Sequence, residues 1–280
     1  MAAPPLALHY SAGEVADDPR YQYYWDLIQA ALDSNEAGQG KIKLVPYAGQ
    51  MNGERALHEI LSDGRIDIMV RTTSRQLESV LTPVRIPLDK GLTGYRLLLV
   101  RRDREASLAR VSRLAELRRF SLGQQDGWVD VEILRHAGLT VTTANHYEGL
   151  FSMLQLGRFD ALPRGVNEIA NEYRLYRPRY PDMVIDKTLV LYYPMARYVF
   201  VAPGARGQAL ARRIEDGLRR LIANGEFERR YQRYRSQVLD GVSLPGRHLI
   251  RLDNPYLPER TPLGDASLWD APVRLESAPR

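Results

Sequence analysis

The apolar positions of the chain follow a helix-and-strand pattern that occurs twice. In each copy an amphipathic helix is followed by a glycine, a short apolar strand and an arginine. The copies start at Leu57 and Leu150 and end at Arg71 and Arg164. A helical stripe followed by a nearly continuous apolar run is typical of a helix packed on a buried parallel strand. The repeat therefore predicts two similar lobes with a ligand-binding cleft between them.

The pattern outside the repeat predicts further elements of the same kind. Apolar or alternating runs predict strands, and apolar residues spaced three and four apart predict helices. The predicted strands are 6–10, 41–47, 66–70, 95–101, 139–143, 159–162 and 192–201. The predicted helices begin near residues 21, 57, 131, 149, 208 and 227. Strands that alternate with helices indicate α/β lobes with right-handed crossovers.

Two of these strands, 95–101 and 192–201, are the best candidates to carry the chain from one lobe to the other. The predicted lobes are residues 1–96 with 197–280, and residues 97–196. Prolines are frequent after Gly241, so residues 241–280 are predicted to be an extended strap that lies on a lobe without a core of its own.

Composition limits the partners and the location. The chain is 44% hydrophobic and 26% charged, as in globular proteins, and it has no cysteine for disulfides or thiolate metal sites. The net charge of +5 is spread along the chain and forms no dense basic block, so nucleic acid is not predicted as a partner. The first residues, MAAPP, lack the regions of a secretory signal, which leaves open a cytoplasmic protein or a mature exported form.

Motifs for catalysis are missing from the sequence. It contains no phosphate-binding loop, dinucleotide fingerprint or serine elbow, and its histidines lack metal-ligand spacing. Glu168 and Glu172 lie one helical turn apart and are candidates either for a cation or for an ion pair with Arg164. We therefore predict no catalytic residue, no metal and no cofactor.

The repeat arginines, Arg71 and Arg164, are candidate ligand anchors. Both lie near the carboxyl ends of equivalent predicted strands, where open α/β sheets bind ligands. A guanidinium offers forked donors that match a carboxylate or phosphate. The alternative at each position is an ion pair with an acidic neighbour, and the sequence leaves both open.

A glycine-rich segment, Gly123–Trp128, precedes a predicted helix. Glycines let backbone amides approach a ligand, and the first N–H groups of a helix favour an anion. Asp126 or Asp130 is instead a candidate helix cap. Trp128 is a candidate for stacking on a ligand or for core packing.

Taken in order, these features resemble a type 2 periplasmic solute-binding protein. The resemblance is strongest to the polar amino-acid-binding branch of the ABC-transporter substrate-binding proteins and covers about residues 6–240. It lies in an ordered series: Thr72–Ser74, then Gly123-x-Gln125-x-Gly127, then Leu154–Ala161. It implies a two-lobed α/β fold, each lobe a mixed, mostly parallel sheet flanked by helices, with two crossover strands between the lobes.

The resemblance also implies a function. A non-catalytic clamp would close by hinge motion on a small polar solute, amino-acid-like or anionic, and present it to a membrane permease. It implies a periplasmic monomer whose signal peptide is absent from this numbering. The rivals are an extracytoplasmic sensor for a membrane receptor, and a dehydratase-like enzyme with Glu168 or Glu172 as acid or base.

By the same resemblance, an aromatic residue, a threonine pair and the start of a second-lobe helix contact the ligand. The candidate ligand-binding residues are Tyr10, Tyr47, Arg71, Thr72, Thr73, Arg75, Gln125, Gly127, Trp128, Arg164 and Glu168. Gln76 or Leu77 stands where the family has its carboxylate-binding arginine, so either Arg71 or Arg75 replaces it or no such carboxylate is bound. Glu168 is the candidate acceptor for a ligand amino group.

Overall fold

The computed structural model describes residues 5–11, 19–34, 40–49, 51, 53–62 and 64–270. Within these residues the chain forms two compact units, each with its own β-sheet. The first unit comprises described residues up to Gly91 together with Ala196–Arg235 and Leu257–Asp270; the second comprises Leu92–Met195 and Ser236–Tyr256. None of the described helices has both the length and the apolar character needed to cross a membrane.

The elements alternate between strand and helix along most of the chain, as the hydrophobic pattern predicts. The strands are β1 (Leu6–Tyr10), β2 (Ile42–Pro46), β3 (Ile68–Thr72), β4 (Thr82–Val84), β5 (Tyr95–Arg101), β6 (Ser121–Gln125), β7 (Thr140–Ala144), β8 (Ala161–Gly165), β9 (Met183–Ile185), β10 (Leu189–Tyr192), β11 (Arg197–Val201) and β12 (His248–Arg251). The helices are α1 (Pro19–Asp33), α2 (Gly53–Leu61), α3 (Arg75–Val80), α4 (Glu105–Leu108), α5 (Leu114–Leu117), α6 (Val129–His136), α7 (Tyr147–Gln155), α8 (Ile169–Tyr176), α9 (Ala205–Ala223) and α10 (Glu226–Val238).

The sheet of the first unit has the strand order β2-β1-β3-β11-β4. β1 runs parallel to β2 and β3, whereas β11 lies antiparallel between β3 and β4. Helices α1 and α9 pack on each other and on this sheet. Tyr10 and Thr72 end β1 and β3, and these parallel strands end at the same edge of the sheet.

The sheet of the second unit has the order β12-β10-β5-β8-β6-β7, with β9 paired to β5. β6 runs parallel to β7 and β8, while β5 runs antiparallel to β8, β9 and β10. The predicted mixed, mostly parallel sheets are confirmed: among the described strands, only β11 in the first sheet and β5 in the second run opposite to the others. Each of these two reversed strands is the first strand after a passage of the chain from one unit into the other.

The repeated helix-and-strand pattern is confirmed as α2 with β3 and α7 with β8. Both strands begin two residues later than predicted, and in each copy the aspartate just before the strand binds the backbone of a neighbouring strand. The carboxylate of Asp67 accepts a hydrogen bond from the His9 backbone at 2.7 Å, and that of Asp160 accepts one from the Ser121 backbone at 2.8 Å. Gly157 has φ +66°, the left-handed conformation predicted for the end of α7.

The segment after Gly241 differs from the predicted strap. Its strand β12 pairs in parallel with β10, and Ile250 and Leu252 belong to the buried core of the second unit. Trp269, further along, packs against the core of the first unit. The tail therefore completes both cores. Within the described residues the chain passes between the units after positions 91, 195, 235 and 256, whereas two crossovers were predicted.

Arg247 holds the tail to the second unit. Its guanidinium is buried and donates hydrogen bonds to the backbone carbonyls of Asp186 at 2.6 Å and Leu189 at 3.1 Å. The carboxylate of Asp186 lies 3.9 Å from the same nitrogen and is almost fully buried. Burial disfavours a charged side chain, and it lowers the pKa of Arg247 although Asp186 opposes the shift.

We expect Arg247→Ala to lower the free energy of unfolding by about 3 kcal/mol, because the substitution leaves buried carbonyls without their donor and the Asp186 carboxylate without its cationic neighbour. Urea denaturation followed by circular dichroism measures the change. Arg251→Ala, at an exposed arginine of the neighbouring strand β12, is the matched control and should cost less than about 0.5 kcal/mol. Equal effects of the two substitutions would contradict a structural role for Arg247.

Candidate functional site

The aromatic candidates of the first unit both have partners inside the unit. The ring of Tyr10 stacks on Trp25 of α1 with the ring centroids 4.0 Å apart, and Tyr10 is only 9% exposed. The hydroxyl of Tyr47, directly after β2, accepts a hydrogen bond from Arg65 at 2.7 Å. One face of the Tyr10 ring is therefore used in the core, and Tyr47 is held by a surface arginine.

The threonine pair at the end of β3 divides into a structural and an accessible residue. The buried Thr73 hydroxyl donates to Glu78 at 2.7 Å, and Glu78 in turn accepts hydrogen bonds from Arg85. The backbone N–H of Thr73 donates to the carbonyl of Ala196 at 2.9 Å. Thr72 is only half-buried. Thr73 thus fixes the end of β3, and Thr72 is the better placed of the two to contact a solute.

Two exposed arginines, Arg71 and Arg75, flank Thr72. The Arg71 guanidinium lies against Gly53 at the start of α2, so closely that a Cβ at Gly53 would come within 1.7 Å of an Arg71 nitrogen. Arg75 is the first residue of α3, whose N-terminus is capped by the Ser74 hydroxyl. This end of β3 combines exposed cationic side chains with a threonine, a composition suited to an anionic group.

The glycines of the glycine-rich segment are explained mainly by the packing and the backbone turns of the second unit. A Cβ at Gly123 would lie 2.2 Å from the Phe159 ring, so this glycine is required for core packing. Gly127 has φ +77°, a left-handed conformation that turns the chain into α6. Gln125 ends β6 and is half-buried, as is Trp128, which precedes α6 without capping it.

Arg164 forms the internal ion pair that the sequence left open as an alternative. Its Nε and Nη2 donate to the two carboxylate oxygens of Glu172, both at 2.7 Å, and Nη2 lies 2.9 Å from Glu168. The side chains of Arg164 and Glu172 are only 7% and 4% exposed. Burial alone would lower the pKa of Arg164, but the two glutamates outweigh it and raise the pKa well above its usual value.

Aromatic rings complete the surroundings of Arg164. Its guanidinium carbon lies 4.6 Å from the ring centroid of Trp128 and 5.6 Å from that of Tyr147. The Tyr147 hydroxyl donates to Glu172 at 2.6 Å, and burial, reinforced by Glu172, raises the pKa of Tyr147. The carboxylate of Glu172 therefore already accepts hydrogen bonds from Arg164 and Tyr147, which makes Glu172 a poor candidate acid or base.

Sequence reasoning missed a second buried network beside this one. Arg96 of β5 donates from Nε to the Tyr193 hydroxyl at 3.0 Å and forms an ion pair with Asp130 at 2.9 Å. Tyr193 also donates to Asp130. All three are buried, so Asp130 is the counter-ion of Arg96, and its side chain does not cap α6. The one local signal for this network was Arg96 itself, a charged residue within the otherwise apolar run YRLLLV.

Gly165 lies where the two networks meet. A Cβ at this position would come within 2.7 Å of an Arg96 nitrogen and 3.1 Å of a Glu168 oxygen. The joined networks hold two arginines and three carboxylates, and we name them the second-unit polar cluster: Arg96, Asp130, Arg164, Glu168 and Glu172. Its acidic residues outnumber its arginines, so it favours a cationic group over an anion. In the part of the chain that the structure describes, no group of three or more metal-ligating side chains is suited to hold an ion.

Comparison with known proteins gives a consistent picture of the fold. No protein-family model matches the chain, and no curated protein matches it in sequence. Solved structures do match. An ancestral arginine-binding protein bound to glutamine is 16% identical with a TM-score of 0.56, covering 83% of this chain and 99% of its own. An amino acid ABC transporter substrate-binding protein from Streptococcus pneumoniae, bound to L-arginine, is 15% identical with a TM-score of 0.54, covering 82% and 94%.

A Salmonella typhimurium periplasmic binding protein with high arginine specificity is similar at 15% identity and a TM-score of 0.54, covering 81% of this chain and 98% of its own. At such identities the likeness establishes the fold alone. The chain has the two-lobed α/β fold of the amino-acid substrate-binding proteins of ABC transporters. The fold predicted from the sequence is confirmed.

We expect Asp130→Asn to lower the free energy of unfolding by about 3 kcal/mol, because it leaves the buried guanidinium of Arg96 without its counter-charge. Urea denaturation measures the change. Asp126→Asn, at an exposed aspartate of the turn that precedes α6, is the control, with an expected change below about 0.5 kcal/mol. A stability of Asp130→Asn equal to that of the control would show that the pair with Asp130 does not stabilise the unit.

Proposed function

We propose that the chain is a non-catalytic solute-binding protein of the periplasm that closes by hinge motion on a small polar solute and delivers it to an ABC permease. The observation that carries the proposal is the position of the polar side chains. Arg71 and Thr72 end β3 in the first unit, and Gln125 ends β6 in the second, each at the carboxyl end of a parallel strand. Open α/β sheets bind ligands at such ends.

The charges of the two units support a solute with one anionic and one cationic group. In the first unit, the exposed Arg71 and Arg75 suit a carboxylate. In the second unit Arg164 is neutralised by its own glutamates, so it is a poor anchor for an anion. Glu168, whose side chain is 19% exposed, suits an amino group. An amino-acid-like solute carries both groups.

A thermal-shift screen of the protein against amino acids, opines, small carboxylates and short peptides tests the proposal. A ligand at about 100 times its Kd stabilises the folded state by about 2.7 kcal/mol, which raises the Tm by several degrees. Arginine and glutamine, which are bound in structural neighbours, belong in the first panel. We expect a compound that carries a carboxylate and an amino group to produce the shift. Incubation of small cyclic carboxylates with the protein, followed by product analysis, would reveal the rival enzyme activity.

Once a ligand is known, we expect Arg71→Ala or Arg75→Ala to weaken its binding about 10- to 100-fold, the effect of losing a hydrogen bond to a charged group. Titration calorimetry measures the Kd, and the Tm without ligand should stay nearly unchanged because both arginines are exposed. Arg110→Ala removes an exposed arginine of the second unit and serves as the control. If neither Arg71→Ala nor Arg75→Ala binds more weakly than the control, the first-unit carboxylate site is wrong.

A further inference from the structure

The side chains around Arg164 have the composition of a binding site for a planar cation. We name Trp128, Tyr147, Glu168 and Glu172 the guanidinium cage. Glu172 presents both oxygens to the cation at 2.7 Å, and two aromatic rings approach it at 4.6 and 5.6 Å. A fork of carboxylate oxygens together with aromatic faces is how proteins bind a free guanidinium.

We propose that Arg164 is the resident cation of this cage and a specificity-determining residue of the second unit. Its guanidinium occupies the positions that the guanidinium or ammonium group of a solute would otherwise take. Because the cage is filled from within, the unit rejects solutes with a second positive charge and accepts those with a single amino group, at Glu168. The claim about which solutes are rejected rests on the proposed function, whereas the claim that Arg164 fills the cage does not.

The cage is filled but not sealed. Glu172 is almost fully buried, whereas the Glu168 side chain is 19% exposed and both Trp128 and Tyr147 are half-buried. Removal of the Arg164 side chain beyond Cβ would therefore leave an acidic, aromatic-lined space with an edge at the solvent. A small free cation of the same shape is the chemical replacement for the missing group.

Rescue of Arg164→Ala by methylguanidinium tests the proposal. The variant should melt well below the wild type, because two carboxylates lose their partner. Methylguanidinium at about ten times its Kd should raise the Tm of the variant by about 3 °C or more over the same concentration of KCl. The wild-type Tm should show no such rise. A folded variant that methylguanidinium does not stabilise would overturn the proposal.

Two controls make the result specific. In Arg164→Ala/Glu172→Gln the cage loses its principal carboxylate, so the rescue should disappear; a rescue as large as in the single variant would show a non-specific effect and overturn the proposal. If Arg164→Ala does not fold alone, its refolding from urea is followed by circular dichroism. Recovery in methylguanidinium but not in KCl supports the cage, and recovery in neither overturns it.

A binding measurement connects the cage to specificity. Agmatine, which carries a guanidinium and an amine but no carboxylate, should bind Arg164→Ala at least 10-fold more tightly than the wild type by titration calorimetry. Equal binding to both would show that Arg164 does not exclude cations. The rescue experiment needs no natural ligand, so its failure is distinct from a failure of the ligand screen, which would count against the proposed function.

Discussion

The second unit depends on the pairing of buried charge. The side chains of Arg96 and Arg164 are buried, and each is accompanied by a carboxylate and a tyrosine. An unpaired ion in such a place would cost several kcal/mol, so the strands β5 and β8, the helices α6 and α8 and their connecting loops are placed to bring the partners together. Glycine at position 165 leaves room for the two pairs to lie side by side, because a Cβ there would crowd an Arg96 nitrogen at 2.7 Å and a Glu168 oxygen at 3.1 Å.

The same pairing bears on the proposed solute site. An arginine bound to two glutamates stabilises the fold and presents no free positive charge, whatever its position at the end of a strand. In the first unit the equivalent arginine of the repeat is exposed. The two copies of one sequence pattern therefore differ in their surroundings: Arg164 is buried beside Glu168 and Glu172, whereas Arg71 is exposed and is followed by α3, which begins with Arg75.

Local patterns predicted the fold well and the site only in part. The strand β5 has the predicted bounds because its apolar run is unambiguous, and Gly157 adopts the predicted left-handed turn. The partner of Arg164 could not be chosen, because its spacing to Glu168 suits a solvated helical face equally well. The contact of Arg96 with Tyr193 joins residues 97 positions apart, which no local pattern records. The strand β12 has only four residues and gave no periodic signal.

The position of β11 determines when the first sheet can be completed during synthesis. This strand is inserted between β3 and β4, so the first sheet lacks an interior strand until residues beyond 196 have left the ribosome. The second sheet likewise remains incomplete until β12 is synthesised, after all of its other described strands. Neither unit is a contiguous piece of chain, and non-local strand pairing is slow to form. Neither sheet can therefore be completed until its last strand, β11 or β12, has been synthesised. The edge of β3 that later pairs with β11 is exposed until then.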